Sequence, residues 1–134
     1  MNRKFKNLTT LQQAVIKQLG YNTLDEDAAS TLNDVMRSHY GAAAGFTGFI
    51  YYNDTIKFFN DNKNLIMEQL ENDANDFGED MLTMISNFNC LKDDNLSATD
   101  IMNAIYNEED ENETIVKNAL SWYALETVAY QLED

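Results

Sequence analysis

The chain has 134 residues, one domain's worth, and its 44% hydrophobic residues are enough to fill a single core hiding about two-thirds of the unfolded surface. Nine Lys+Arg against 23 Asp+Glu leave a formal charge of −14, and no six-residue basic cluster is present to bind a phosphate backbone by counterion release, which disfavours direct nucleic-acid binding. No apolar run approaches the roughly 20 residues that span a bilayer, and Met1 to Lys6 leads into polar Asn7-Leu8-Thr9-Thr10, so no membrane partner and a place in the cytosol are expected.

Charge is unevenly placed. Residues 1–24 carry four bases and no acid, whereas residues 25–134 carry five bases and all 23 acids. No proline interrupts the chain, so long helices are permitted throughout, and five glycines supply most of the punctuation. With no linker, repeat or compositional break, residues 1–134 are expected to form one all-α domain, a compact bundle of about five to seven helices.

In chain order, a first helix starts near Thr9 or Thr10, carries Leu11, Val15, Ile16 and Leu19, and stops at Gly20. Thr23-Leu24-Asp25-Glu26 has the form of a capping box, and Leu24, Ala28, Leu32, Val35 and His39 follow as one stripe. Residues 41–52 then form a connection rich in glycine and aromatics. Asn53-Asp54-Thr55 offers caps for a short helix holding Ile56, Phe58 and Phe59.

The next helix is expected over about Asp61 to Phe77. It has Ile66, Leu70, Ala74 and Phe77 on one face and Glu68, Glu71, Asn72, Asn75 and Asp76 on the other, with Gly78 closing it. Glu79 and Asp80 sit where a helix dipole favours acids, ahead of Met81, Leu82, Met84, Ile85 and Phe88. Ser97-Ala98-Thr99-Asp100 opens a helix holding Ile101, Ala104 and Ile105. Residues 114–132 are apolar around most of a helical circumference, so that helix is either the centre of the bundle or half of a homodimer interface.

The residues that could carry chemistry have plain explanations. His39 is the only histidine, and no triad or di-metal motif accompanies it, so its stripe position marks a core-edge residue. Cys90 is the only cysteine, with no base nearby to lower its pKa, and reads as a packed thiol. Gly41, Gly45 and Gly48 match neither a Walker loop nor a dinucleotide fingerprint, since a helix precedes them and aromatics follow. A ligand pocket walled by Phe46, Phe49, Tyr51 and Tyr52 is the alternative. Tested against calcium-loop spacing, Asp73 to Met84 has glycine at position 6 but Phe77 at position 5 and Met84 at position 12. No metal, no cofactor and no enzymatic activity are expected.

The acidity itself offers a function. A chain of this length has a diameter of roughly 36 Å, over which duplex DNA carries about 21 charges. A net −14 gathered on one face, or doubled in a dimer, approaches that density and would be drawn to the basic groove of a nucleic-acid enzyme.

His39-Tyr40-Gly41-Ala42-Ala43-Ala44-Gly45-Phe46-Thr47-Gly48-Phe49-Ile50-Tyr51-Tyr52-Asn53-Asp54-Thr55, with Phe58-Phe59 after it, resembles the central signature of small uncharacterised proteins of bacteriophages and mobile elements. The likeness covers the middle half of the chain. It implies an inhibitor of a host defence nuclease, of anti-CRISPR or anti-restriction type, by the company such proteins keep. The expected partner is therefore a protein with a basic surface, a host nuclease or CRISPR effector. The expected contacts are Asp73, Asp76, Glu79, Asp80, Glu108, Glu109, Asp110 and Glu111. A structural or adaptor protein assembling through its last helix is the alternative from another class.

Overall fold

A computed structural model of the chain describes residues 8–22, 25–30, 52–88, 91, 93–107 and 109–132, with the side chains of 52–54 excepted. The fold is all-α, and no strand occurs among the described residues. The expectations placed on His39, Cys90 and residues 41–51 lie outside the described residues.

Helix α1 (Thr10–Gln18) begins where the sequence places it, through a reciprocal cap. Gln12 N–H donates to Thr9 Oγ1 at 3.1 Å, and Thr9 N–H donates to Gln12 Oε1 at 3.0 Å. Two amide groups that a helix start leaves without partners are thus satisfied. Gly20 follows at φ +96°, a conformation that costs other residues energy. Residues 26–30 are helical too, and Asp25 caps them. Ala28 N–H donates to Asp25 Oδ1 at 3.0 Å, so the start falls at Asp25, two residues later than the Thr-x-x-Glu pattern predicts.

Helix α2 (Tyr52–Asp61) also departs from expectation, because Asn53, Asp54 and Thr55 lie inside it and do not cap it. The reason for Thr55 is visible in the packing. It is fully buried, its hydroxyl donates to Asn118 Oδ1 at 2.9 Å, and its carbonyl oxygen accepts from Ser121 Oγ at 2.6 Å. Buried hydroxyls require such partners. Asn62 then breaks the run, its side chain donating back to the Phe58 carbonyl at 2.9 Å.

Helix α3 (Lys63–Phe77) buries Ile66, Leu70 and Ala74 as the stripe predicts, and Gly78 closes it at φ +67°. Phe77 does not join that stripe: it is 72% exposed. The helix ends at a corner, one turn past Ala74, where no neighbouring element among the described residues covers its last side chain. Helix α4 (Met81–Ser86) is capped by Asp80, and α5 (Ala98–Tyr106) opens with a capping box between Ser97 and Asp100 and buries Ile101, Ala104 and Ile105.

Helix α6 (Glu113–Gln131) is the central helix, in contact with α1, α2, α3 and α5. Val116, Leu120, Ala124, Leu125 and Val128 are buried within the one chain, each large apolar side chain contributing about 1.5–3 kcal/mol. The apolar circumference of residues 114–132 is therefore largely taken up inside the bundle. Lys117 is buried in the same helix, its ammonium 2.7 Å from Glu113 Oε2 and 6.0 Å from the centre of the Phe59 ring. Its long stem fills core volume while the carboxylate one turn earlier balances its charge.

Candidate partner-binding surface

The expected acidic contacts fall into two connections. Asp76, Glu79 and Asp80 surround the α3–α4 corner. Glu109, Asp110 and Glu111 lie between α5 and α6, and Glu108 is outside the described residues. The α3–α4 corner is fixed by its backbone. Glu79 N–H reaches back to the Ala74 carbonyl at 2.8 Å while Gly78 takes the left-handed turn, an arrangement that satisfies carbonyls left open at a helix end.

Three of the expected residues have structural duties. Asp73 is turned towards the bundle and does not present a free carboxylate: Oδ1 accepts from Gln69 Nε2 at 3.0 Å, and Oδ2 accepts from the Tyr123 hydroxyl of α6. It is a tie between α3 and α6, which corrects its assignment to the outer surface. Asp80 remains exposed while its Oδ2 accepts from Thr83 N–H at 3.2 Å. Asp110 is half-buried, its Oδ2 accepting from Asn112 N–H at 2.9 Å.

Asp76, Glu79, Glu109 and Glu111 are exposed. Among the described residues the ion pairs Lys57–Asp61 and Lys117–Glu113 lie elsewhere and leave these four carboxylates unneutralised. The two connections are anchored at opposite ends of α3. Lys63, its first residue, places its ammonium 4.2 Å from the centre of the Tyr106 ring, and Tyr106 leads directly into the second acidic stretch. Asp76 lies near the other end, about 20 Å along the helix axis at 1.5 Å per residue.

Sequence reasoning missed the aromatics that accompany the acids. Phe77 sits beside Asp76 and Glu79, and Tyr106, 61% exposed, precedes the second stretch. The helical stripe places Phe77 with the buried face, and the pattern carries no expectation for Tyr106. Their exposure depends on where neighbouring helices end, which periodicity does not report. Behind the first corner, Phe88 stacks on Tyr123 with ring centres 5.5 Å apart and planes 16° from parallel, backing the bond from Tyr123 to Asp73.

No group of three or more His, Cys, Asp or Glu side chains among the described residues is arranged to hold a metal ion. No helix among them is long and apolar enough to cross a membrane. A family model described as "Domain of unknown function (DUF7222)" matches residues 9–134. No curated protein and no solved structure matches the chain.

Proposed function

The chain belongs to the DUF7222 family, and from that premise we propose that it is a non-enzymatic inhibitor that occupies a basic, nucleic-acid-binding surface of a host defence nuclease in the cytosol. The observation that carries this reading is the set of exposed carboxylates, Asp76, Glu79, Glu109 and Glu111, on two helix connections. One follows the C-terminal end of α3, and the other follows Tyr106, which meets Lys63 at the N-terminal end of α3, about 20 Å of helix away.

Magnitude supports a partial mimic of a phosphate chain. Duplex DNA carries about twelve charges over about 20 Å. The four exposed carboxylates, Asp76, Glu79, Glu109 and Glu111, amount to about a third of that density. Complementary fields of this kind raise association rates and confer partner choice. Exposed Phe77 and Tyr106 add the apolar anchoring that carboxylates alone do not supply.

The resemblance of the central segment to proteins of bacteriophages and mobile elements points to CRISPR effectors and restriction nucleases as the partners to try. The test is plasmid interference in cells carrying such a nuclease, with and without the chain. Protection that disappears when Asp76, Glu79, Glu109 and Glu111 are all replaced by Lys supports the reading. Protection that persists in that variant contradicts the electrostatic mechanism.

A further inference from the structure

A cleft between α1, α3 and α6 contains a directed chain of side-chain amides. Gln12 Oε1 accepts from the Thr9 N–H, and Gln12 Nε2 donates to Gln131 Oε1 at 2.9 Å. Gln131 Nε2 donates to Gln69 Oε1 at 3.3 Å, and Gln69 Nε2 donates to Asp73 Oδ1 at 3.0 Å. Each bond sets the sense of the next amide, so none of the three glutamines can flip without breaking two bonds. A primary amide has two N–H donors and two acceptor lone pairs. Each glutamine uses one of each inside the chain and keeps one of each.

Asn72 adds a fourth amide to the wall, and Leu11 and Leu65 give it an apolar portion. The cleft encloses about 310 Å³, at the small end of the roughly 300–1,000 Å³ typical of small-molecule sites. Glu68 is the only charged residue in its lining. With no cation there and −14 on the chain, a phosphate or carboxylate ligand is repelled. The wall instead matches an uncharged ligand that presents a donor and an acceptor side by side, as Asn and Gln amides do when they pair with a purine edge. Amides already locked in orientation lose little further freedom on binding.

We infer that this cleft binds a small, uncharged, planar ligand with an adjacent donor–acceptor edge, a free nucleobase or a carboxamide, independently of the acidic surface. The test is a nuclear magnetic resonance titration of the full chain with adenine, with nicotinamide and with acetylglycylglycine methylamide as a peptide-backbone probe, following the side-chain NH2 signals of Gln12, Gln69, Asn72 and Gln131. Saturable shifts of these signals support the site. Response to adenine alone assigns the ligand as a heterocyclic base, and response to nicotinamide alone as a carboxamide. Asn72→Ala, an exposed change outside the amide chain, and Gln131→Met, which keeps side-chain length, are each expected to weaken binding about five- to tenfold, the value of one lost hydrogen bond. No saturation by about 10 mM, weaker than any affinity of use to a cell, overturns the inference. So do shifts that survive both substitutions, or a response confined to acetylglycylglycine methylamide, which would make the cleft a peptide-docking surface.

Discussion

The hydroxyl of Tyr123 donates to Asp73 Oδ2, so an aspartate that the sequence places among surface carboxylates joins α3 to the central helix. Tyr123→Phe removes that donor and leaves Asp73 half-buried with one partner fewer. The expected cost is about 1–2 kcal/mol, seen as a midpoint lowered by roughly 3–8 °C in thermal unfolding. An unchanged midpoint would show that the bond contributes nothing net.

The same pair sets a pH dependence. Burial first, and then the hydrogen bond and negative charge of Asp73, raise the Tyr123 hydroxyl far above its ordinary value near 10. An unfolded chain releases that proton above pH 10 while the folded chain retains it. The contribution of this group to stability is therefore complete below pH 10 and declines as pH rises beyond it. Denaturation midpoints between pH 9 and 11 are expected to fall more steeply in the wild type than in Tyr123→Phe.

Lys117 and Glu113 predict unequal outcomes for two substitutions of one ion pair. Lys117→Met fills similar volume without a charge to desolvate. The carboxylate it leaves, Glu113, is 19% exposed in the first turn of α6, where water and the helix dipole support it, so the change is expected to be neutral within about 1 kcal/mol. Glu113→Gln leaves the buried ammonium uncompensated and is expected to destabilise by about 1–3 kcal/mol, reduced from the fully buried case because Glu113 is 19% exposed. Urea unfolding of both variants distinguishes this from an ordinary surface pair, for which neither change would matter.

Gly78→Ala isolates backbone conformation, since nothing lies within 4 Å of where the new Cβ would stand and only the left-handed φ of +67° opposes it. A loss of about 1 kcal/mol is expected, with Gly78→Asn costing less because asparagine tolerates this region. Equal stability of all three proteins in chemical denaturation would remove the strain argument.

The helix ends that depend on local chemistry were legible. Thr9, Ser97 and Asp80 cap as their side chains dictate, and Gly20 and Gly78 turn where only glycine turns easily. The Ile66–Leu70–Ala74 stripe was legible for the same reason, since burial at helical spacing leaves a mark in the sequence. What failed depended on distant partners. Thr55 looked like a cap until Asn118 and Ser121 were set against it, and Asp73 looked solvent-facing until Tyr123, fifty residues on, was in place. The link from Gln12 to Gln131 spans 119 residues and has no local signature at all. At the acidic corners, composition identified the carboxylates but not the exposed Phe77 and Tyr106 beside them, because exposure is decided by where other helices stop.

The central claim is that the carboxylates of the two helix connections occupy a surface that otherwise holds nucleic acid. Its most direct test is competition: a purified CRISPR effector or restriction nuclease protected against in the interference assay is titrated with this chain while its binding of labelled DNA is followed across salt concentration. Mutually exclusive binding is predicted, with affinity for the chain falling steeply as salt screens the contact and abolished when Asp76, Glu79, Glu109 and Glu111 are all Lys. Simultaneous binding of DNA and the chain, or affinity unchanged at about 0.5 M salt, where charges are screened beyond a few ångströms, would contradict it.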